Sequence, residues 1–236
     1  MTIIYLVRHG QASFSSENYD QLSDKGILQA SLVGQYLQKK IARPSAVITG
    51  DMNRHKQTAQ HSIKAFNLNS DDNDIVIEDA RWNEYDHQNI LGMYNTELAT
   101  PSSTRRYLAK QEQSLQMFKA LFINAINQWS HAEDASGYTE SFAHFSERVI
   151  AALKEVAEKH TGGKVIIYTS GGPISLIICY LLGLPLTQFI DINWSLVNGG
   201  VTKLITRGQS NQLTLSTMNE HDVFEQCTDK RLITYT

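Results

Sequence analysis

The run Ile3-Ile4-Tyr5-Leu6-Val7-Arg8-His9-Gly10 decides how this chain folds. Five apolar residues end abruptly in two basic ones and a glycine. An apolar run this short, bounded by glycine, reads as a strand covered on both faces, as in a parallel α/β sheet. Arg8 and His9 then emerge at the carboxyl end of the strand, where open α/β sheets bind their ligands. The same grammar recurs near the other end of the chain. Val165-Ile166-Ile167-Tyr168 is a strand, and Ser170-Gly171-Gly172-Pro173 leads from it into the apolar stretch 174–184. Pro173 suits a first helical turn, where its missing N–H is not needed. A glycine-containing turn into a helix start has the physics of an anion cradle.

Between these two units the pattern alternates. Ser23 can cap a helix running to about Lys40, with Leu28, Leu32, Val33, Tyr36 and Leu37 as its apolar stripe. Ala46-Val47-Ile48-Thr49 reads as a strand, and residues 54–66 as a helix with Ala59, Ile63 and Phe66 on one side. Ile75-Val76-Ile77 is a third strand. Residues 81–104 show no clean period, whereas Tyr107 to Trp129 reads as one helix. Thr139 begins another, with Phe142, Phe145, Val149, Leu153 and Val156 at spacings of three and four. Leu196-Val197, Val201 to Thr206 and Leu213 to Thr217 read as strands joined by tight turns. The expectation is an α/β chain: a three-layer α/β/α sandwich with a mainly parallel sheet. Residues 1–236 form a single domain in this reading, with 86–136 a helical insert near the active site.

Composition narrows the function classes. The chain has 236 residues, 42 % hydrophobic and 19 % charged, so a packed core rather than disorder is expected. A net charge of −3 supplies no basic field for a nucleic-acid backbone. No apolar run approaches the roughly 20 residues of a membrane span, and the first residues lack the pattern of a secretory signal. Two cysteines, Cys179 and Cys227, cannot build a disulfide framework. A cytoplasmic protein with neither nucleic-acid nor membrane partners is expected, and oligomeric state is left open.

The chemistry concentrates in a few side chains. An imidazole such as His9 can attack phosphorus when its attacking nitrogen is neutral. Arg8 beside it can hold phosphate oxygens and favours the neutral ring. Arg54 follows a strand near a helix start, where it can reach the same phosphate or pair with Asp51. Glu84, Asp86 and His87 are competing acid–base candidates that spacing does not rank. None of the eight histidines forms a His-Glu-x-x-His zinc pattern, and no metal or cofactor is expected. His55, His61, His131, His144 and His160 read as helix-surface or loop residues.

Taken together, these stretches resemble the histidine phosphatase superfamily, also called phosphoglycerate-mutase-like. Tyr5-Leu6-Val7-Arg8-His9-Gly10-Gln11 is similar to its opening signature, and Gln21 to Ala30 to its first-helix motif. Arg54 with Gln57-Thr58-Ala59 resembles its second arginine segment, and Glu84 stands where its acid is expected. Gly137 to Phe142 with Arg148 is similar to its later helix entry, and Asn198-Gly199-Gly200-Val201 suits its C-terminal sheet. The resemblance implies His9 as nucleophile, Glu84 as proton donor, and Arg8 and Arg54 as phosphate clamps. It implies metal-independent hydrolysis of a phosphomonoester through a phosphohistidine. The chain departs from the pattern at Ser170, where the resemblance places a second histidine. Ser170 and the amide of Gly171 are then expected to bind phosphate, with His87 a candidate substitute acid–base. A small-molecule phosphomonoester is the expected partner, and a phosphoprotein remains open. A catalytically weak phospho-ligand binding or regulatory protein, and phosphoglycerate-mutase-type transfer, are the alternatives.

Overall fold

The computed structural model describes residues 1–13, 20–67, 75–110, 114–207 and 212–235. Six strands form one sheet: β1 (Ile3–Arg8), β2 (Ala46–Thr49), β3 (Val76–Glu78), β4 (Lys164–Thr169), β5 (Val201–Arg207) and β6 (Gln212–Glu220), in the order β3-β2-β4-β1-β5-β6. The first four are mutually parallel, and β5 and β6 add an antiparallel edge. Strand alternation sorts the core into two layers. Ile4, Leu6, Ile48, Val165 and Ile167 face one helical layer, and Tyr5, Val7, Val47, Ile166 and Tyr168 face the other. Both sets are buried, which is why these strands read as continuous apolar runs rather than as alternating ones.

The layer on the Tyr5 side holds α1 (Asp24–Lys40) and α2 (Asn53–Ile63). Ser23 caps α1 as expected, its hydroxyl accepting from Gly26 N–H at 3.1 Å. The opposite layer holds α3 (His87–Tyr94), α5 (Ser114–Ser130), α6 (Phe142–Lys159), α7 (Gly171–Leu182) and α8 (Phe189–Asn193). Its centre is aromatic. Phe145 lies within 5.4–6.4 Å, centroid to centroid, of Tyr85, Trp129, Phe142 and Phe189. The short helix α9 (Asp222–Glu225) packs back against α1.

Several boundaries differ from the periodicity reading. The single helix expected over Tyr107–Trp129 is two, α4 (Pro101–Leu108) and α5. Thr100 starts α4 through a capping box with Ser103, and Pro101 occupies its first turn, so local hydrogen bonding sets that start. The stretch 81–104, which lacked a period, contains α3, capped by Asp86. The helix expected from Thr139 begins at Phe142 because Ser141 supplies the cap. Leu196-Val197 is not a strand; the chain turns there, and Gly199 has φ +75°. The third strand is shifted by one residue and ends at Glu78.

Replacing Phe145 by Ala removes the ring that joins α6 to Tyr85, Trp129 and Phe189. The expected loss is about 3–5 kcal/mol, read as a lower urea midpoint at unchanged m-value. A loss below about 1 kcal/mol would place the core elsewhere.

Candidate active site

The carboxyl ends of β1, β2 and β4 reach one edge of the sheet, and the residues that follow β1 and β2 supply part of one cavity. Arg8 and His9 complete β1, Arg54 opens α2 after β2, and Ser170 follows β4. Backbone bonds lock this edge: His9 N–H donates to Thr169 O at 2.9 Å, and Gly50 N–H to Tyr168 O at 3.2 Å. The loop after β1 is fastened by side chains. Gly10 N–H donates to Thr58 Oγ1 at 3.1 Å, Gln11 N–H to Gln29 Oε1 at 2.8 Å, and Leu22 N–H to Gln57 Oε1 at 2.8 Å. The Gln57-Thr58 pair thus holds the loop beside His9.

Arg8, His9, Arg54, Glu84 and His87 all line one cavity of about 590 Å³. Of the residues anticipated for the site, these five come together in the cavity, whereas Ser170 and Gly171 are not among those that line it. Arg54 pairs with Asp20 at 2.8 Å rather than with Asp51, and its Nε has no hydrogen-bond partner among the described residues. The Arg8 guanidinium is anchored on Leu196 O. Two guanidinium groups buried at one wall favour an anion, because burial strengthens their field.

His9 donates from Nδ1 to Gly10 O at 2.8 Å, since a carbonyl can only accept. In the neutral ring this leaves the lone pair on Nε2. Burial lowers the His9 pKa well below the ordinary value, and Arg54, His55 and Arg8 add to the effect. These effects all favour the neutral ring.

Glu84 reaches the start of α7, accepting from Gly172 N–H at 3.1 Å and Tyr85 N–H at 3.3 Å. Gly172 is required for this approach: a Cβ there would stand 2.0 Å from Glu84 Oε1. Burial raises the Glu84 pKa, partly offset by the Gly172 N–H and the two arginines. Its loop is held by Arg148, which donates to Arg81 O at 2.8 Å and Asn83 O at 2.9 Å while its other nitrogens grip Glu140. Glu140 and Arg148, from the Gly137–Phe142 stretch and the arginine singled out with it in the sequence, thus hold the Glu84 loop.

Ser170 and Gly171 are buried and are not among the residues that line the cavity. Gly171 lies against Arg8 and Asn193, whose atoms would meet a Cβ at 3.4 and 2.0 Å. Ser170 is the N-cap residue of α7 but its side chain makes no capping hydrogen bond; its hydroxyl meets Nε2 of His55 at 2.6 Å. His55 corrects the surface reading outright, being 0 % exposed with its ring centroid 5.7 Å from that of His9. The signal was present in the sequence: stepping back four residues from Ala59 along the inward face of α2 reaches His55. His87 lines the cavity against Phe122, at 6.5 Å between centroids, and burial lowers its pKa. The remaining walls were not foreseen as a set: Tyr85, Leu91, Leu108, Phe118, Phe122 and Trp194. They come from three separate helices, the residue that follows α8 and the Glu84 loop, so no local pattern announces them.

Comparison with known proteins agrees with this geometry. The family model for the histidine phosphatase superfamily (branch 1) matches residues 4–220. A metal-independent phosphoserine phosphatase of Arabidopsis thaliana is 28 % identical over 183 residues, covering 75 % of this chain and 67 % of the relative. A probable phosphoglycerate mutase, GpmB, of Klebsiella pneumoniae is 25 % identical over 191 residues, covering 78 % and 77 %. Among solved structures, Bacillus stearothermophilus YhfR superposes with a TM-score of 0.66 at 20 % identity, over 94 % of this chain and 99 % of that one. With the strand-end cluster of Arg8, His9, Arg54 and Glu84 in place and the family match spanning almost its whole length, the chain belongs to the histidine phosphatase superfamily, branch 1.

Proposed function

We propose that the protein is a phosphomonoester hydrolase that works through a phosphohistidine on His9. The observation that carries this reading is the His9 ring, tied by Nδ1 to Gly10 O and kept neutral beside two buried guanidinium groups. Arg8 and Arg54 hold the phosphoryl oxygens. The lone pair of His9 Nε2 attacks phosphorus, the N–P bond forms and the ester P–O bond breaks. Glu84, whose raised pKa favours its acid form, gives its proton to the departing alkoxide. A water then attacks phosphorus and yields its proton to the Glu84 carboxylate. The N–P bond breaks, releasing inorganic phosphate and restoring neutral His9.

The helical segment 86–136 is read as a substrate-shaping insert. The cavity above His9 presents Tyr85, Leu91, Leu108, Phe118, Phe122 and Trp194. Such walls favour an ester whose alcohol is a sizeable apolar or aromatic group. The names of the relatives point instead to phosphoserine and phosphoglycerate, small substrates with a carboxylate. A carboxylate would need a cation, and Arg105 on the cavity wall is positioned to supply one. The weakly catalytic phospho-ligand binding alternative keeps the same pocket without turnover.

His9→Ala is expected to lower phosphate release by at least about 10³-fold and to abolish acid-labile labelling by phosphate. Equal release by wild type and variant would leave the binding-protein reading. The pH profile follows from the two shifts. His9 must be neutral, so the acid limb lies below the ordinary histidine value of about 6.5; Glu84 must be protonated, so the alkaline limb lies above the ordinary carboxylate value of about 4.3. Glu84→Gln should erase the alkaline limb and cost about 10²–10⁴-fold with an alkyl phosphate, less with an aryl phosphate whose leaving group needs no proton. Benzyl phosphate should exceed phosphoserine in kcat/KM. Phe122→Ala should cut that preference about tenfold while ethyl phosphate changes little. A preference for phosphoserine that Arg105→Ala abolishes would identify the carboxylate-bearing class.

A further inference from the structure

A groove of about 580 Å³ runs along the outer face of α6, beside the end of α7. None of the residues lining it lines the cavity above His9. Its walls are apolar where a solvated helix face would be polar. Ala143, Ile150 and Ala151 come from α6, and Tyr180 and Leu186 from the end of α7 and the turn after it. Leu182 and Leu184 lie between those last two in the chain. Tyr180, Leu182 and Leu184 are 37 %, 55 % and 39 % exposed, and no other large apolar side chains exposed among the described residues stand so close together in the chain. An apolar face of this kind, with charges at its edge, marks a surface that another molecule covers.

Two charges identify the molecule that covers it. Among the described residues, Glu147 and Lys154 are the only charged side chains lining the groove. They stand two helical turns apart, about 10 Å along α6, so they share a face but cannot meet. Neither is in an ion pair among the described residues; Lys154 lies over the Tyr180 ring at 5.6 Å. Ile150 and Ala151 sit midway between the two charges. A two-fold axis passing between Ile150 and Ala151 lays a second α6 antiparallel on the first. That one operation sets Glu147 of each copy opposite Lys154 of the other, making two pairs at once. The short side chains of Ala143 and Ala151 leave room for the helices to approach. A face complementary to itself under a two-fold rotation is what a closed dimer requires. A partner surface of uniform charge would instead be repelled by one of the two residues.

We propose that this face joins two copies of the chain in an antiparallel α6–α6 dimer. The apolar walls of the groove supply the affinity, and the reciprocal Glu147–Lys154 pairs fix the register. The dimer does not depend on the hydrolase reading, because none of its residues lines the cavity.

Sedimentation and light scattering of the full chain test it, with circular dichroism as the check on folding. The samples are wild type, Glu147→Lys, Lys154→Glu, the two changes combined in one chain, and an equimolar mixture of the two single variants. Wild type should be dimeric at about 50 μM. Each single variant sets like charges opposite one another twice and should raise the dimer dissociation constant at least about tenfold. About 1 M salt should return most of that loss, because it screens the repulsion. The combined variant restores both pairs with their signs exchanged and should dimerise as wild type does. In the mixture, each reversed charge meets an opposite charge on the other variant, so heterodimers should form although neither variant pairs with itself. Wild type that is monomeric at the same concentration overturns the proposal. So does a dimer that neither single reversal weakens, or a pair of single variants that stay monomeric when mixed. If a reversal fails to fold, Ala151→Arg, which crowds the axis without touching either charge, decides on the same readout: a monomer supports the α6 face, and a dimer as tight as wild type overturns it.

Discussion

The parallel ladder between β1 and β4 is the constraint on which the site depends. Pairing Arg8 with Thr169 puts His9 level with Ser170, and pairing Thr49 with Tyr168 brings the start of α2 to the same edge. Parallel strands end on one side, so residues far apart in the chain are delivered together without a long loop. The antiparallel edge contributes support from the other side. Gly199 N–H donates to Arg8 O at 3.0 Å, and Asn198 Nδ2 to His9 O at 3.2 Å. The turn that carries His9 is thus held by β4 on one flank and by the turn before β5 on the other.

Electrostatics then follows from burial. Two guanidinium groups share a wall with His9 and Glu84, and the same enclosure pushes their pKa values toward each other. It lowers the histidine, whose charged form is positive, and raises the glutamate, whose charged form is negative. The consequence is that the enclosure favours the neutral form of both groups. Polar fastenings keep these groups in place at little cost because each is satisfied: Thr58 and Gln29 on the β1 loop, Arg148 under the Glu84 loop.

His55 shows how a local motif can mislead. Position 170 taken alone reads as a lost imidazole, and His87 was the nearest candidate to replace it. The structure brings an imidazole to Ser170 from α2 instead, one residue after the arginine that was already singled out. The helical period of α2 pointed inward at that position, but a histidine in a run as polar as Asn53-Arg54-His55-Lys56-Gln57 reads as solvated unless its neighbours across the sheet are known.

The sequence by itself determined the strand-ending motifs, the mainly parallel α/β class, and the identities of Arg8, His9, Arg54 and Glu84. These are legible because a doubly covered strand must be a short apolar run, and because a polar cluster directly after one has a single place to go. Helix starts that depend on a cap, such as those of α4 and α6, lay one hydrogen bond beyond what periodicity reports. Only the tertiary structure decided the hydrophobic walls of the cavity and the meeting of His55 with Ser170. Phe118 and Phe122 come from α5 and Trp194 from the end of α8, and residues 55 and 170 are joined across the ends of β2 and β4. Such contacts arise from strand order and register, which are set by the packing of both helical layers at once and leave no trace in any one stretch of chain.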